Sequence, residues 1–127
     1  MIPDRHRDLL ERPLFTHLAT IRPDGTPQVN PMWSMWDGEL LWFTTTTTRR
    51  KYRNISAHPE VAASINDPDQ PYRYIELRGV VERVDPDTTA EFFDRPAARY
   101  GLDYEPPLPD APDRIAVGIR PTHVTYQ

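Results

Sequence analysis

The chain has no cysteine, which excludes a disulfide framework and any thiolate metal site. It is also nearly without lysine: of its 15 basic residues only Lys51 is one, and the rest are arginine. No apolar run approaches the ~18 residues that a membrane-spanning helix needs. The opening residues, MIPDRHRDLLERP, are charged and contain no apolar stretch, so they do not read as a secretory leader. An excess of positive charge is missing too. The formal net charge of −4 argues against non-specific nucleic-acid binding. The four histidines show no metal-ligand spacing, and Ser34 lacks the glycine-rich elbow of a serine hydrolase. These absences leave a cytoplasmic protein without nucleic-acid, membrane or metal partners as the expectation. Its 127 residues are expected to form one domain, 1–127. A chain of this size hides roughly two-thirds of its unfolded surface without staples.

Proline, by contrast, is abundant, at 15 residues, so long helices are not expected. Residues 4–11 can form a short helix stopped by Pro13. FTHLATI, residues 15–21, reads as a strand, and Pro23-Asp24-Gly25 as a turn. Residues 26–36 read as a second strand with Val29, Pro31, Trp33 and Met35 on one face. Pro31 in its middle implies an edge, a bulge or an open ladder. Asp37-Gly38 is a hairpin turn into a third strand over 39–46. Residues 48–57 read as a helix ending at His58-Pro59. A short strand over 60–66 precedes a long one over 72–84, bent at Gly79. A helical region starts at Asp85-Pro86-Asp87, reaches Tyr100 and is expected to break at Asp94-Arg95-Pro96. A proline-rich loop over 101–113 can act as an arm. The last main strand covers 114–120, with 122–126 extending it past Pro121. About six strands and three short helices, with hairpins early, favour a closed or partly closed antiparallel barrel over a βαβ sheet.

TTTTTRRKYRN, residues 44–54, is the most informative stretch. A helix start carries about half a positive charge and free N–H groups. Cations placed there cost ~0.3–1 kcal/mol each when exposed. Thr46, Thr47 or Thr48 can cap the helix, but no cap explains Arg49, Arg50 and Lys51. An anion explains them: backbone N–H groups, threonine hydroxyls and basic side chains would converge on a phosphate. The competing reading is a solvated patch paired with Asp24, Glu39 or Glu60. The stretch lacks glycine, so it is not a P-loop.

Four segments together resemble the pyridoxamine 5′-phosphate oxidase-like superfamily of split β-barrel flavin and deazaflavin oxidoreductases. HLATIRPDGTPQVNPMW is similar to its opening hairpin, and LWFTTTTTRRKYRNISAHPEVAASI to its strand–helix–strand segment. YRYIELRGVVERV is similar to its long strand and RIAVGIRPTHVTYQ to its closing strand. The resemblance implies a mainly β, six-stranded antiparallel split β-barrel of Greek-key type. It places the cofactor phosphate on Arg50 and Lys51, with Arg49, Thr45, Thr46 and Thr47 beside them. It places the cofactor ring along Asn30, Pro31, Met32 and Trp33. It implies a homodimer whose partner chain completes each site, with Tyr72 and Tyr74 as candidates for that contribution. The chain lacks the C-terminal arginine–histidine pattern of the vitamin B6 oxidases. Its segments are closer to the branch that uses coenzyme F420, with FMN as the alternative. The implied activity is hydride transfer from the reduced deazaflavin to an electron-poor small-molecule substrate, or non-catalytic carriage of the cofactor. Tyr74 and solvent are the candidates for the catalytic proton donor, and His123 is a further residue that could approach the cofactor. His17 and His58 read as structural.

Overall fold

The β-branched and aromatic runs build one antiparallel sheet of seven strands, in the order β2-β1-β5-β6-β7-β4-β3. The computed structural model describes all 127 residues. The strands are β1 (Thr16–Ile21), β2 (Pro27–Met32), β3 (Met35–Trp36), β4 (Leu41–Thr46), β5 (Glu60–Asp67), β6 (Gln70–Pro86) and β7 (Arg114–Tyr126). Three helices accompany them: α1 (Arg7–Glu11), α2 (Arg50–Ala57) and α3 (Glu91–Arg99). Short 3-10 turns occupy Asp4–His6 and Ala111–Asp113. The sheet curls into a half-barrel, so the expected mainly β split barrel with short helices is what forms.

The strand count is seven rather than six because the expected strand over 26–36 is two strands. Pairing of β2 with β1 stops at Met32, opposite Thr16. The Ser34 N–H then leaves the ladder and donates to the Tyr100 hydroxyl at 3.1 Å, while its Oγ lies 2.6 Å from Thr16 Oγ1. The next residue, Met35, pairs with Trp42 of β4. The chain therefore steps from one edge of the sheet to the other across Trp33 and Ser34. A flat sheet cannot be bridged by two residues, so this crossing brings the two edges together. Pro31 lies on edge strand β2, where its missing N–H costs the ladder nothing.

Two other expectations shift, and the expected extension of the last strand past Pro121 holds. The region over 87–100 does not break at Pro96. Residues Glu91–Arg99 form an unbroken helix containing it. The Asp87 carboxylate accepts the N–H groups of Phe92 and Phe93 at 2.9 and 3.0 Å, and Phe93, Pro96 and Ala97 are buried. Capping and burial outweigh the lost bond. Helix α2 starts at Arg50, and Arg49, in extended conformation, takes the cap position without a side-chain bond. The threonines do not cap it: Thr46 and Thr48 hydroxyls bond each other at 2.9 Å. Strand β7 runs unbroken through Pro121, which faces the bulge at Gly79.

The main core lies inside the curl, where Ile75 and Val117 are fully buried, and Leu9, Leu10 and Ile55 close it from α1 and α2. Helix α2 is moored by a polar contact as well. Asn54 is fully buried and donates to Thr20 Oγ1 at 2.9 Å and Gln28 Oε1 at 3.1 Å. Gln28 in turn donates to Asn30 Oδ1 at 2.9 Å. Asn54→Ala strands both acceptors, and a loss of about 1–2 kcal/mol of stability is expected in urea unfolding. An unchanged midpoint would remove this mooring role.

Candidate functional site

Strand β4 delivers Thr44, Thr45 and Thr46 to the start of α2, and its ladder with β7 sets Thr46 opposite Arg114. The Thr47 N–H donates to the Asp113 carbonyl at 2.9 Å, and the Asp87 N–H to the Arg114 carbonyl at 2.9 Å. The ends of three strands are thereby tied together. A pocket of about 270 Å³ opens beside them, lined by Phe15, Pro31, Met32, Trp33, Thr44, Thr45, Arg49, Lys51, Phe93 and Arg114.

Three cations and no carboxylate stand on this wall. Arg114 pairs with Asp110 at 2.9 Å. Arg49, Arg50, Lys51 and Arg53 form no ion pair at all. Of the three carboxylates that could have neutralised the basic cluster, Glu39 pairs with Arg120 and Asp24 bonds Thr26, while Glu60 pairs with no cation. The first turn of α2 holds no acid. Lys51 is half-buried, and burial first, then the Arg49 charge, hold its ammonium below the usual lysine range. A charged group kept in that position without a counter-charge is a candidate binding element for an anion.

The aromatic residues of the pocket are fixed. Trp33 stacks on Tyr100, with centroids 5.1 Å apart and planes at 16°, and tilts against Phe93 at 6.3 Å. The Tyr100 hydroxyl donates to the Leu14 carbonyl at 2.6 Å while accepting from Ser34. Trp33 thus presents a surface held by α3 and the N-terminal segment together.

Of the residues expected at the site, Pro31, Met32, Trp33, Thr45, Arg49 and Lys51 share this one wall. The others lie off it. Arg50 is exposed in the first turn of α2, Thr46 is buried against Thr48, and Thr47 is exposed at the turn. Asn30 faces Gln28. Tyr72 is 85% exposed and lines a separate hollow of about 430 Å³ with Arg5, His6 and Arg73. Tyr74 pairs with Asn66 on β5, and His123 lies across from Arg78 on the outer face of the sheet. Phe15, Thr44, Phe93 and Arg114 complete the wall without having been picked out from the sequence. Arg114 had a readable signal, being a cation that opens a strand. Phe93 was hidden by the expected helix break.

A larger hollow, about 620 Å³, lies between the N-terminal residues, Trp36 and Arg120. Its arginines are already answered, Arg120 by Glu39 and Glu82 and Arg7 by Asp4. Volume alone therefore favours it, but unpaired charge favours the pocket at α2.

The half-barrel, with an unpaired basic cluster at a strand–helix junction beside an aromatic face, defines a split-barrel protein. Residues 2–127 match the family described as pyridoxamine 5′-phosphate oxidase, and the chain belongs to that family. A solved structure named F420 reductase is 54% identical, with TM-score 0.95 over 99% of this chain and 100% of its own. A conserved hypothetical protein from Mycobacterium tuberculosis is 24% identical, with TM-score 0.76 over 98% of this chain and 83% of its own. General stress protein 26 from Bacillus anthracis is 19% identical, with TM-score 0.74 over 97% and 91%. These last two share the fold. No curated protein matches the chain.

Proposed function

We propose that the protein is a cytoplasmic, homodimeric oxidoreductase that binds coenzyme F420 in the pocket at the start of α2. It passes a hydride from the reduced deazaflavin to an electron-poor organic substrate. The observation that carries this reading is the convergence of Arg49 and Lys51, both without ion pairs, on a pocket that also contains Met32 and Trp33. The donor set fits the coenzyme. The cations and the buried Thr45 hydroxyl, which has no partner, suit a phosphate. The Trp33 and Phe93 side suits a planar ring. A relative named F420 reductase at 54% identity supports the same choice. At about 270 Å³ the pocket falls just below the ~300–1,000 Å³ that small-molecule sites span. A second chain is therefore expected to supply the missing wall, and exposed Tyr72 and half-buried Tyr74 are available for that role.

The bound coenzyme supplies the hydride chemistry. Arg49 and Lys51 fix its anionic end, Arg50 stands beside them on the first turn, and the Trp33 side excludes water. The wall contains no imidazole, phenol or carboxyl group, so the proton that completes reduction comes from solvent or from the second chain. The same feature favours a second reading, a carrier that binds the coenzyme without turnover.

Fluorescence titration with F420 and FMN in parallel tests the proposal. Saturable quenching with F420, at least tenfold tighter than FMN, is expected, together with turnover on activated alkenes or quinones. Tighter FMN binding would make this a flavin enzyme, and binding without turnover a carrier. Failure to bind either would overturn all three.

A further inference from the structure

Hydride transfer to an electron-poor double bond is half of a reduction, and a proton must follow. The residues lining the pocket at α2 include no imidazole, phenol or carboxyl group. Titratable groups packed behind the lining are committed elsewhere. Tyr100, stacked on Trp33, donates to the Leu14 carbonyl; Tyr104, against Phe93, donates to Asp94; Asp110 is paired with Arg114. His17 differs. Side chains of a strand alternate between its two faces, and β1 buries Thr16, Leu18 and Thr20 while His17 is exposed, as Phe15 is. Phe15, two residues before it, lines the pocket. So does Pro31, its partner across the β1–β2 ladder. Directly paired residues carry their side chains on one face, with Cβ atoms ~4.5–5.5 Å apart. The imidazole therefore stands at the rim, next to two residues that line the pocket.

Its surroundings leave the ring free. On β5 it faces Ser64, and Glu76, the carboxylate in that row, is one strand further on, where Thr125 donates to it at 3.2 Å. His17 forms no side-chain hydrogen bond and no ion pair. A histidine that supports the fold is buried or bonded, as His6 is; His17 is neither. We propose that His17 is the catalytic acid that relays a solvent proton to the substrate. The inference rests on the coenzyme reading, which supplies the hydride and with it both electrons. The hydride adds to one carbon of a C=C bond conjugated to a withdrawing group such as a carbonyl. Negative charge then gathers on the carbon beside that group. There a C–H bond forms as an N–H bond of the imidazolium breaks. The neutral ring, being exposed, takes its next proton from water, so no further oxidant or reductant is needed.

His17→Gln keeps a polar side chain of similar size but has no acidic proton to give. His123→Gln, on the same sheet face but at β7, is the control. Both are compared with the parent by fluorescence titration with F420 and by steady-state reduction of an activated alkene such as cyclohexenone. Both should bind F420 within twofold of the parent. His17→Gln should lose at least tenfold in kcat with the alkene KM unchanged, and His123→Gln should lose nothing. Added imidazole should restore turnover to His17→Gln in part and leave the parent as it was. A second readout needs no turnover. In the parent, the imidazole Cε1–H resonance that is absent from His17→Gln should shift when F420 is added, while that of His58 stays in place. This measurement decides the matter even where His17→Gln melts early. An unchanged kcat in His17→Gln, a loss that imidazole does not repair, or a His17 resonance indifferent to F420 overturns the proposal and leaves the coenzyme reading standing. A parent that binds F420 without turnover is a carrier, and one that binds none has lost the coenzyme reading. Either result ends the proposal together with the hydride step.

Discussion

Replacing Arg49 and Lys51 together by alanine is expected to weaken F420 binding by about 4 kcal/mol, roughly a thousandfold, at about 2 kcal/mol per charge-assisted contact. Folding should not suffer. Neither residue has a counter-ion, and both lie at the positive end of α2, where each cation costs a few tenths of a kcal/mol. The double variant should melt at or slightly above the parent temperature. Lost binding with kept stability separates a ligand clamp from a structural patch. If affinity holds, the site lies elsewhere. A pH series sharpens the distinction. Burial and Arg49 hold the free Lys51 ammonium below 10.5, and a bound phosphate dianion would raise it again. Affinity should be full below the free-protein value. It should fall as the pH rises through that value, because binding must then take up a proton. Without ligand the sign for folding is opposite. The folded value is lower than the unfolded one, so stability rises between the two on the alkaline side. Lys51→Met should flatten both profiles.

Gly79→Ala is expected to cost about 3 kcal/mol, or a fall of about 10 °C in melting temperature. A Cβ at this position runs into the Arg120 carbonyl oxygen, lies 2.9 Å from the Arg120 carbonyl carbon and 3.0 Å from Ile119 Cγ2. The obstacle is backbone, so no rotamer change relieves it. The register of β6 against β7 shifts between Arg78 and Gly79, and this close approach is what the shift accommodates. Separating the strands would loosen the ladder on which both Arg114 and the core residue Val117 stand. Gly25→Ala provides the comparison. Its φ of 89° strains any side chain, but nothing lies within 4 Å, so a cost near 1 kcal/mol is expected. Equal melting temperatures for the two variants would contradict the crowding argument.

The parts of this fold that were legible in the sequence are those set by local chemistry. Pro31 marked an edge, Gly79 a bend, and the run of threonines a strand ending in a basic helix start. Half of the pocket wall follows from these. What stayed hidden depends on residues far apart in the chain. The strand break at Ser34 exists because Tyr100, 66 residues away, offers its hydroxyl to the Ser34 N–H. Helix α3 survives Pro96 because Asp87 caps it from outside the helix. Arg114 joins the site through a strand register that no short window contains. The threonine cap failed for a simpler reason: two hydroxyls found each other before either found a helix N–H.

The two-residue step at Trp33 and Ser34 means that the seam of the barrel and the aromatic face of the pocket are the same piece of chain. If the proposed pocket holds its ligand there, breathing of the seam and loosening of that ligand are expected to be a single motion. The Ser34 amide proton, held by a phenol rather than by a neighbouring strand, exchanges with solvent when Tyr100 lets go. Its exchange rate is a built-in gauge of how firmly the barrel is shut around whatever it holds.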